Sequence, residues 1–195
     1  MAKTTEKLTL KLAQKVDGEN IYWKSRTWDT NLPSYFVLAN YPANESLVAD
    51  DLTGMLTQNA VNKLSGGSVT IGNLFSKPVE KPREKELRTA FSSSSMDELV
   101  TAALKHDVIV VATGSLTDKS EITRYRLREF IERINDQEGA AKLKVLVAQN
   151  SKTPAHPLSS GARTSVVWQL ETLAETGLYK TIVEQMANSK MRTDI

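Results

Sequence analysis

The residues best suited to chemistry lie in one loop, residues 149–163, directly behind the apolar run 145–148. This loop contains His156, one of only two histidines in the chain. An imidazole can donate or accept a proton near neutral pH, which other side chains do only when their pKa is perturbed. Pro154 and Pro157 restrict the backbone on both sides of the histidine. We therefore predict that His156 is a functional residue rather than an ordinary loop residue.

Two asparagines form a second group of candidates, since Asn40 and Asn73 each follow an apolar, strand-like segment directly. A carboxamide offers both a donor and an acceptor, so it can hold a water molecule or read the edge of a ring. Asparagine also turns the chain after strands, and this alternative stays open for both residues. Asp51 and Thr53 begin a helix, where a carboxylate is favourable as a cap whatever else it does.

Missing motifs exclude several chemistries. The chain has no cysteine, which excludes disulfides, thiolate zinc sites and a cysteine nucleophile. It contains no Walker A sequence, no G-x-G-x-x-G and no H-E-x-x-H, and Ser115 is not part of a G-x-S-x-G elbow. We therefore predict no metal site and no cofactor.

The candidate residues need a scaffold that brings distant parts of the chain together. Continuous apolar runs that are typical of parallel strands buried on both faces cover residues 35–39, 68–72, 107–112 and 144–148. Helical periodicity covers residues 52–64, 96–104, 122–134, 166–174 and 182–186, and a capping box of Ser95 and Glu98 precedes the second of these. This alternation predicts an α/β fold, a three-layer α/β/α sandwich with a four-strand, mainly parallel central sheet. Ligands bind such sheets at the carboxyl ends of the strands.

The first 34 residues have a different pattern. Leucines alternate with polar residues, a turn signal follows at Asp17, and residues 21–28 are strand-like, which predicts an antiparallel hairpin at the sheet edge. A short helix over residues 6–16 is the alternative, because apolar residues there also recur at a spacing of four. Trp23 and Trp28 alternate with Arg26, which predicts sheet packing with a cation–π contact. We interpret His106 as a partner of a helix C-terminus.

Composition narrows the class of protein only slightly. The chain has 195 residues, a net charge of +2, 40% hydrophobic and 25% charged residues, all close to average for globular domains. It begins without an apolar leader and contains no stretch long enough to span a membrane. We predict a cytoplasmic single domain over residues 1–195, with the hairpin extension in residues 1–34, the α/β core in 35–186 and a frayed tail in 187–195.

Short motifs shared along the chain resemble a known family. They read Arg-Thr-Trp-Asp at residues 26–29, Leu-Ala-Asn-Tyr-Pro at 38–42, Asp-Asp-Leu-Thr at 50–53, Asn-Leu-Phe at 73–75, Ala-Thr-Gly at 112–114 and His-Pro-Leu at 156–158. This order is similar to the bacterial and phage family catalogued as domain-of-unknown-function family 1643, over roughly residues 21–160. In this chain Tyr41 is inserted between Asn40 and Pro42 of the first strand-end motif. The family carries no assigned activity, so the resemblance concerns the site and not the reaction.

A more distant resemblance links the chain to the uracil-DNA glycosylase superfamily, which is also a parallel-sheet α/β/α sandwich. The residues that carry it are Asn40 with Pro42 after the first core strand, and the His-Pro-Leu-Ser sequence at 156–159 after the last. It implies that Asn40 positions an attacking water and that His156 stabilises a departing base anion. It further implies that Asn73 reads the base edge, that Phe75 stacks on the base, and that residues 158–163 meet a DNA backbone.

We therefore predict a polar crevice at the strand ends that binds or hydrolyses a nucleobase, nucleotide or nucleic acid. The alternative is a binding or protein-interaction module of the same fold without chemistry. The predicted catalytic residues are Asn40 and His156, and the predicted binding residues are Pro42, Asp51, Thr53, Asn73, Phe75, Gly114, Pro157, Leu158, Ser159 and Arg163. If nucleic acid binds, the basic residues expected to flank the crevice are Lys77, Lys81, Arg83, Lys152 and Arg163.

Overall fold

A computed structural model describes residues 5–43, 46–165, 167–176, 178 and 182. Seven strands are described: β1 (Lys11–Asp17), β2 (Asn20–Thr27), β3 (Ser34–Ala39), β4 (Ser68–Asn73), β5 (Val108–Val111), β6 (Leu143–Val147) and β7 (Gln169–Thr172). The described helices are α1 (Leu52–Lys63), α2 (Glu84–Leu87), α3 (Ser95–Leu104), α4 (Leu116–Lys119), α5 (Glu121–Asp136), α6 (Ser160–Arg163) and α7 (Leu173–Thr176). The predicted tail at 187–195 and most of the predicted helix at 182–186 lie outside the described residues.

All seven strands form one sheet in the order β1-β2-β4-β3-β5-β6-β7. The pairs β4–β3, β3–β5 and β5–β6 are parallel, whereas β1–β2, β2–β4 and β6–β7 are antiparallel. The α/β class is confirmed, but the predicted four-strand sheet was too small. The four parallel strands form the centre of a mixed sheet, because antiparallel strands extend it at both edges.

The N-terminal hairpin is present, and the helix alternative for residues 6–16 is wrong. β1 pairs with β2 across a turn at Gly18, whose φ of +54° is the left-handed conformation that glycine adopts without strain. On β2, Ile21 and Tyr22 are buried while β1 is largely exposed. The backbone ladder to β2, rather than burial of its own side chains, therefore holds β1 in the sheet.

A second difference lies at the opposite edge. The periodicity over 166–174 predicted a helix, whereas residues Gln169–Thr172 form β7 and only the following turn is helical. Without β7, the backbone groups on one side of β6 would lack a ladder partner, and such an edge is a liability. Antiparallel pairing of β7 with β6 satisfies them, so a pairing partner distant in sequence overrides the local helical pattern.

Two apolar layers cover the sheet. On β3, Phe36 and Leu38 pack among residues of α3 and α5, whereas Tyr35 and Val37 pack on the other side, among residues of α1 and α6. This alternation follows from the period of two in a strand. Because both sets are buried, β3 appears in the sequence as one continuous apolar run.

Side-chain hydrogen bonds fix the start of two helices. The predicted capping box at α3 is wrong, because the helix begins at Ser95 itself, and the Ser95 hydroxyl donates to the carbonyl oxygen of Ser92 at 2.8 Å. At α5, Ser120 accepts from the Thr123 N–H, and the Glu84 carboxylate accepts from the Ser120 hydroxyl at 2.8 Å. Glu84 thus joins α2 to the start of α5 across 36 residues of chain.

The second histidine lies where the sequence interpretation placed it, past the end of α3. His106 Nδ1 lies 2.8 Å from the Ala102 carbonyl oxygen, which can only accept, so Nδ1 carries the proton. Nε2 then accepts from the Thr70 hydroxyl at 2.8 Å. Burial lowers the pKa of His106. It is therefore a neutral structural residue that connects α3 to β4.

Candidate functional site

A cavity of about 500 Å³ opens where the parallel strands β3, β4 and β5 end. Four parts of the chain converge on it: Asn40 after β3, Asn73 at the end of β4, Thr113 after β5, and His156 from the loop behind β6. The other lining residues are Lys24, Arg26, Ala39, Tyr41, Pro42, Ala43, Asp50, Asp51, Thr53, Gly54, Val69, Ile71, Pro82, Ser115, Leu116, Lys119 and Leu158. The volume is in the range of small-molecule sites.

Asn40 holds its side-chain amide in one orientation. Its Nδ2 donates to the Thr113 carbonyl oxygen at 3.1 Å, and because a carbonyl can only accept, the two ends of the amide are distinguished. Oδ1 is buried and has no hydrogen-bond partner among the described residues. A buried acceptor without a donor is unfavourable by about 1–3 kcal/mol. Asn40 lines the cavity, and its Oδ1 is an acceptor for which no described residue supplies a donor.

His156 is held in one tautomer, with a donor that complements the acceptor of Asn40. The backbone N–H of Leu158 donates to Nδ1 at 3.2 Å, so Nδ1 carries the lone pair and the proton lies on Nε2. Burial lowers the pKa of His156, and the negative charge of Asp51 opposes this only in part. The imidazole is therefore neutral near pH 7, with an N–H donor at Nε2.

Gly114 does not line the cavity but determines how close the His156 loop can come to β5. Its φ is +58°, and a Cβ at this position would lie 2.8 Å from the His156 Cβ and 2.9 Å from the His156 backbone nitrogen. Only glycine satisfies both conditions without a shift. Gly114 therefore determines the position of His156, and its predicted role in binding stays a prediction.

The start of α1 forms one wall of the cavity. Asp51 is the N-cap, and its Oδ1 accepts from the Gly54 N–H at 2.7 Å, as the capping interpretation predicted. Asp51 and Thr53 nevertheless both line the cavity. Asp50 lines it too and forms an ion pair with Arg26 of β2, with Arg26 Nη2 3.1 Å from Asp50 Oδ1. Burial raises the pKa of Asp50, and the charge of Arg26 opposes that effect.

Sequence reasoning missed the contribution of the hairpin. Arg26 and Lys24 lie opposite Val69 and Ile71 in the β2–β4 ladder, and all four residues line the cavity. The predicted cation–π contact of Arg26 is replaced by its pair with Asp50. The Lys24 ammonium donates to the Ser46 carbonyl oxygen at 2.7 Å. The alternation of Lys24 and Arg26 along the chain indicates that both side chains lie on one face of β2. The sequence does not show that β2 pairs with β4, and this pairing places the two residues at the cavity.

The structure places Asn73 in the cavity wall and Phe75 in the core. Asn73 lines the cavity, yet its Nδ2 donates to the Ile21 carbonyl oxygen at 3.2 Å, so this amide joins β4 to the hairpin. Phe75 is fully buried in the core below α5 and does not line the cavity. The guanidinium of Arg126 lies over one face of its ring, 5.8 Å from the centroid. Among the described lining residues, Tyr41 and His156 are the two that carry an aromatic ring.

Some of the predicted residues in the loop behind β6 line the cavity and others do not. Leu158 lines the cavity, whereas Pro157, Ser159 and Arg163 do not. Ser159 turns the chain, since its N–H donates to the His156 carbonyl oxygen at 2.8 Å, and its buried hydroxyl has no partner among the described residues. Arg163 is exposed on the short helix α6.

The basic residues proposed for nucleic acid do not line the cavity: Lys77, Lys81, Arg83, Lys152 and Arg163. Lys77 pairs with Glu19 of the hairpin turn at 3.3 Å. Lys81 and Arg83 flank Pro82, which does reach the cavity rim. The cationic residues that line the cavity are Lys24, Arg26 and Lys119.

Metal-binding clusters and membrane spans are both absent from the described part of the chain. No described group of three or more His, Asp or Glu side chains is arranged to hold a metal ion. None of the helices that the structure describes combines the length and the apolar character that crossing a membrane requires.

The sheet and the cavity together define an α/β protein with a cavity at the carboxyl ends of parallel strands. The chain belongs to the family described as Protein of unknown function (DUF1643), whose model matches residues 22–158. This match confirms the family resemblance that the short motifs indicated. No curated protein and no solved structure gives a significant match. The more distant resemblance to the uracil-DNA glycosylase superfamily stays a prediction.

Proposed function

We propose that the cavity binds a nucleobase, either free or as part of a nucleoside or nucleotide. The observation that carries the proposal is the fixed acceptor at Asn40 Oδ1 together with the fixed donor at His156 Nε2, in one cavity. Nucleobases present hydrogen-bond donors and acceptors on a rigid edge, which is the pattern that such a pair of groups recognises.

The remaining walls support a flat, partly apolar ligand. Tyr41, Pro42 and Leu158 contribute apolar surface, and an aromatic ring can stack on a base whatever its sequence identity. Lys119 and Ser115 add polar groups on the β5 side of the site. A base with an attached sugar fits within a volume of about 500 Å³.

Binding is tested on the full chain by calorimetry and by ligand-dependent melting with a panel of nucleosides. We expect saturable binding and a rise in melting temperature with ligand concentration. Asn40→Ala and His156→Ala should each weaken affinity about tenfold, since each removes a hydrogen bond that the ligand makes in a water-poor site. Asn62→Ala, an exposed asparagine of α1 outside the lining, is the matched control and should bind normally. Absence of binding by every nucleoside would reject the proposal.

Hydrolysis of an N-glycosidic bond is the second candidate function, and the neutral His156 donor favours it. In such a reaction a water oxygen bonds to the anomeric carbon while the carbon–nitrogen bond breaks, the electron pair stays on the base, and the proton that the water loses neutralises the base. A donor at Nε2 stabilises that departing anion, and the Asn40 acceptor orients the water.

Catalysis is tested by incubating the protein with nucleosides and with uracil- or hypoxanthine-containing oligonucleotides. We expect free base or abasic sites to form, and their formation to disappear in the Asn40→Ala, His156→Ala double variant. If nucleosides bind but no product forms, the protein is a non-catalytic ligand-binding module. If product still forms in the double variant, Asn40 and His156 are not the catalytic residues.

A further inference from the structure

The ion pair between Arg26 and Asp50 is the strongest polar feature of the cavity that the proposed function leaves unused. The two side chains are 15% and 19% exposed and lie 3.1 Å apart, and both line the cavity. Arg26 comes from the hairpin and Asp50 from the loop before α1. Their pairing therefore places a carboxylate and a guanidinium side by side in one wall of the site.

The packing around Asp50 is adapted to keep its carboxylate there. A Cβ at Gly54, in the first turn of α1, would collide with Asp50 Oδ1. Any larger residue at position 54 would displace the carboxylate or the helix. The glycine is unfavourable inside a helix by about 1 kcal/mol, so the close approach of Asp50 explains its presence.

Hydrogen-bond capacity remains on both partners. Asp50 forms its ion pair with Arg26, whereas an ionised carboxylate has about four acceptor positions. Arg26 is paired with Asp50 and donates to Gln58 Oε1 at 3.4 Å, whereas a guanidinium has five N–H donors. Positions for further hydrogen bonds therefore remain on both side chains.

We propose that the Arg26–Asp50 pair recognises guanine, a selectivity that rests on the proposed binding of nucleobases. Guanine presents two adjacent donors, the N2 amino group and N1–H, followed by the O6 acceptor. The two donors match the carboxylate, and O6 matches the guanidinium. Adenine and uracil each present only one donor on the corresponding edge, so each leaves an Asp50 acceptor position unused.

The test uses the full chain and measures the affinities of guanosine, inosine, adenosine and uridine. Guanosine should bind best, and inosine, which lacks only the N2 amino group, should bind about tenfold more weakly, because it loses one hydrogen bond to a charged acceptor. This comparison needs no variant. Equal affinity for guanosine and inosine would overturn the proposal. If all four nucleosides bind equally, the guanine assignment fails while the proposed function stands, and if none binds, both fail.

The Asp50→Asn variant should change which nucleoside the protein prefers, rather than simply weaken the binding of guanosine. Its amide offers one acceptor and one donor, which match N1–H and O2 of xanthine but not the two donors of guanine. We expect guanosine affinity to fall at least about tenfold and xanthosine to become the preferred ligand. Asp97→Asn, which removes the carboxylate of the exposed Arg133–Asp97 pair outside the cavity, is the matched control and should keep guanosine preference. An Asp50→Asn protein that weakens all nucleosides alike would overturn the assignment.

Discussion

Gly114 and His156 are in direct contact, with the α-carbon of the glycine packed so closely that a Cβ there would lie 2.8 Å from the histidine Cβ. The end of β5 and the loop behind β6 can approach only because position 114 has no side chain. The contact brings His156 into the wall of a cavity whose other walls include residues of β2, β3, β4 and α1.

Replacement of Gly114 by alanine should therefore affect stability and binding together. We expect a loss of about 2–3 kcal/mol in the free energy of unfolding, because a positive φ and a steric clash act at once. Nucleoside affinity should fall as His156 moves, and both are measured by urea denaturation and calorimetry. Gly18→Ala is the control, since Gly18 has a φ of +54° but a Cβ added there would meet nothing within 4 Å. It should lose only about 1 kcal/mol and bind normally; equal effects at both glycines would contradict the contact argument.

Asn40→Asp should be destabilising although it is nearly isosteric. The amide Nδ2 that donates to the Thr113 carbonyl oxygen at 3.1 Å becomes a carboxylate oxygen, so a donor–acceptor pair becomes two facing acceptors. We expect a loss of about 1–3 kcal/mol in the free energy of unfolding above about pH 6, with recovery as the new carboxyl is protonated at lower pH. Asn62→Asp on the exposed side of α1 should have little effect. A stable Asn40→Asp protein at neutral pH would contradict the amide orientation.

The pH dependence of the free energy of unfolding should reflect the titration of both histidines. Burial lowers the pKa of His156 and of His106 in the folded protein, whereas an unfolded histidine titrates near about 6.5. The unfolded chain therefore binds more protons in this window, so stability is fully present above about pH 6.5 and falls as the pH drops through the folded pKa values. Urea unfolding between about pH 8 and 5 measures this. His156→Gln should show a shallower fall, and an unchanged slope would contradict burial of a neutral His156.

Arg126 should be one of the most sensitive positions outside the cavity. It is 4% exposed, its Nε donates to the Leu74 carbonyl oxygen and its Nη2 to the Ser95 hydroxyl, both at 2.8 Å, and it lies 3.9 Å from the ring centroid of Phe91. Burial lowers its pKa to about 10. Arg126→Met leaves the buried Leu74 carbonyl without this donor, so we expect a loss of about 2–3 kcal/mol in the free energy of unfolding.

The control for Arg126 is Arg128→Met, two residues further along α5. Arg128 forms an exposed ion pair with Glu132, four residues on, which contributes about 0.5 kcal/mol or less. Thermal and urea denaturation of both variants compare the two positions. Similar losses at both would contradict the structural role of the buried guanidinium.

The strands of the parallel core were predictable because their signal is local. Residues 35–39, 68–72, 107–112 and 144–148 are continuous apolar runs, and β3 to β6 lie within two residues of them. Burial on both faces requires such runs, whatever the order of strands in the sheet. β7 was missed because residues Gln169–Thr172 are an edge strand that is only partly buried, and its conformation depends on a partner more than twenty residues away.

The candidate site was predictable to the extent that it follows from strand polarity. Asn40, Asn73 and His156 come together, with Pro42, Asp51, Thr53 and Leu158, because residues that follow parallel strands lie at the same edge of the sheet. Phe75 was misplaced because the direction of a side chain past the strand end depends on the turn. It faces Arg126 in the core rather than the cavity.

The sequence by itself determined the α/β class, the positions of the buried strands, the family and the edge of the sheet where polar residues gather. Each of these depends on the order of residue types along the chain. Only the tertiary structure decided that Arg26 of the hairpin pairs with Asp50, that Asn40 Oδ1 is left without a donor among the described residues, and that Gly114 admits His156. The physical reason is that hydrogen-bond partners and steric contacts between segments depend on strand register and loop path, which residues distant in sequence fix together.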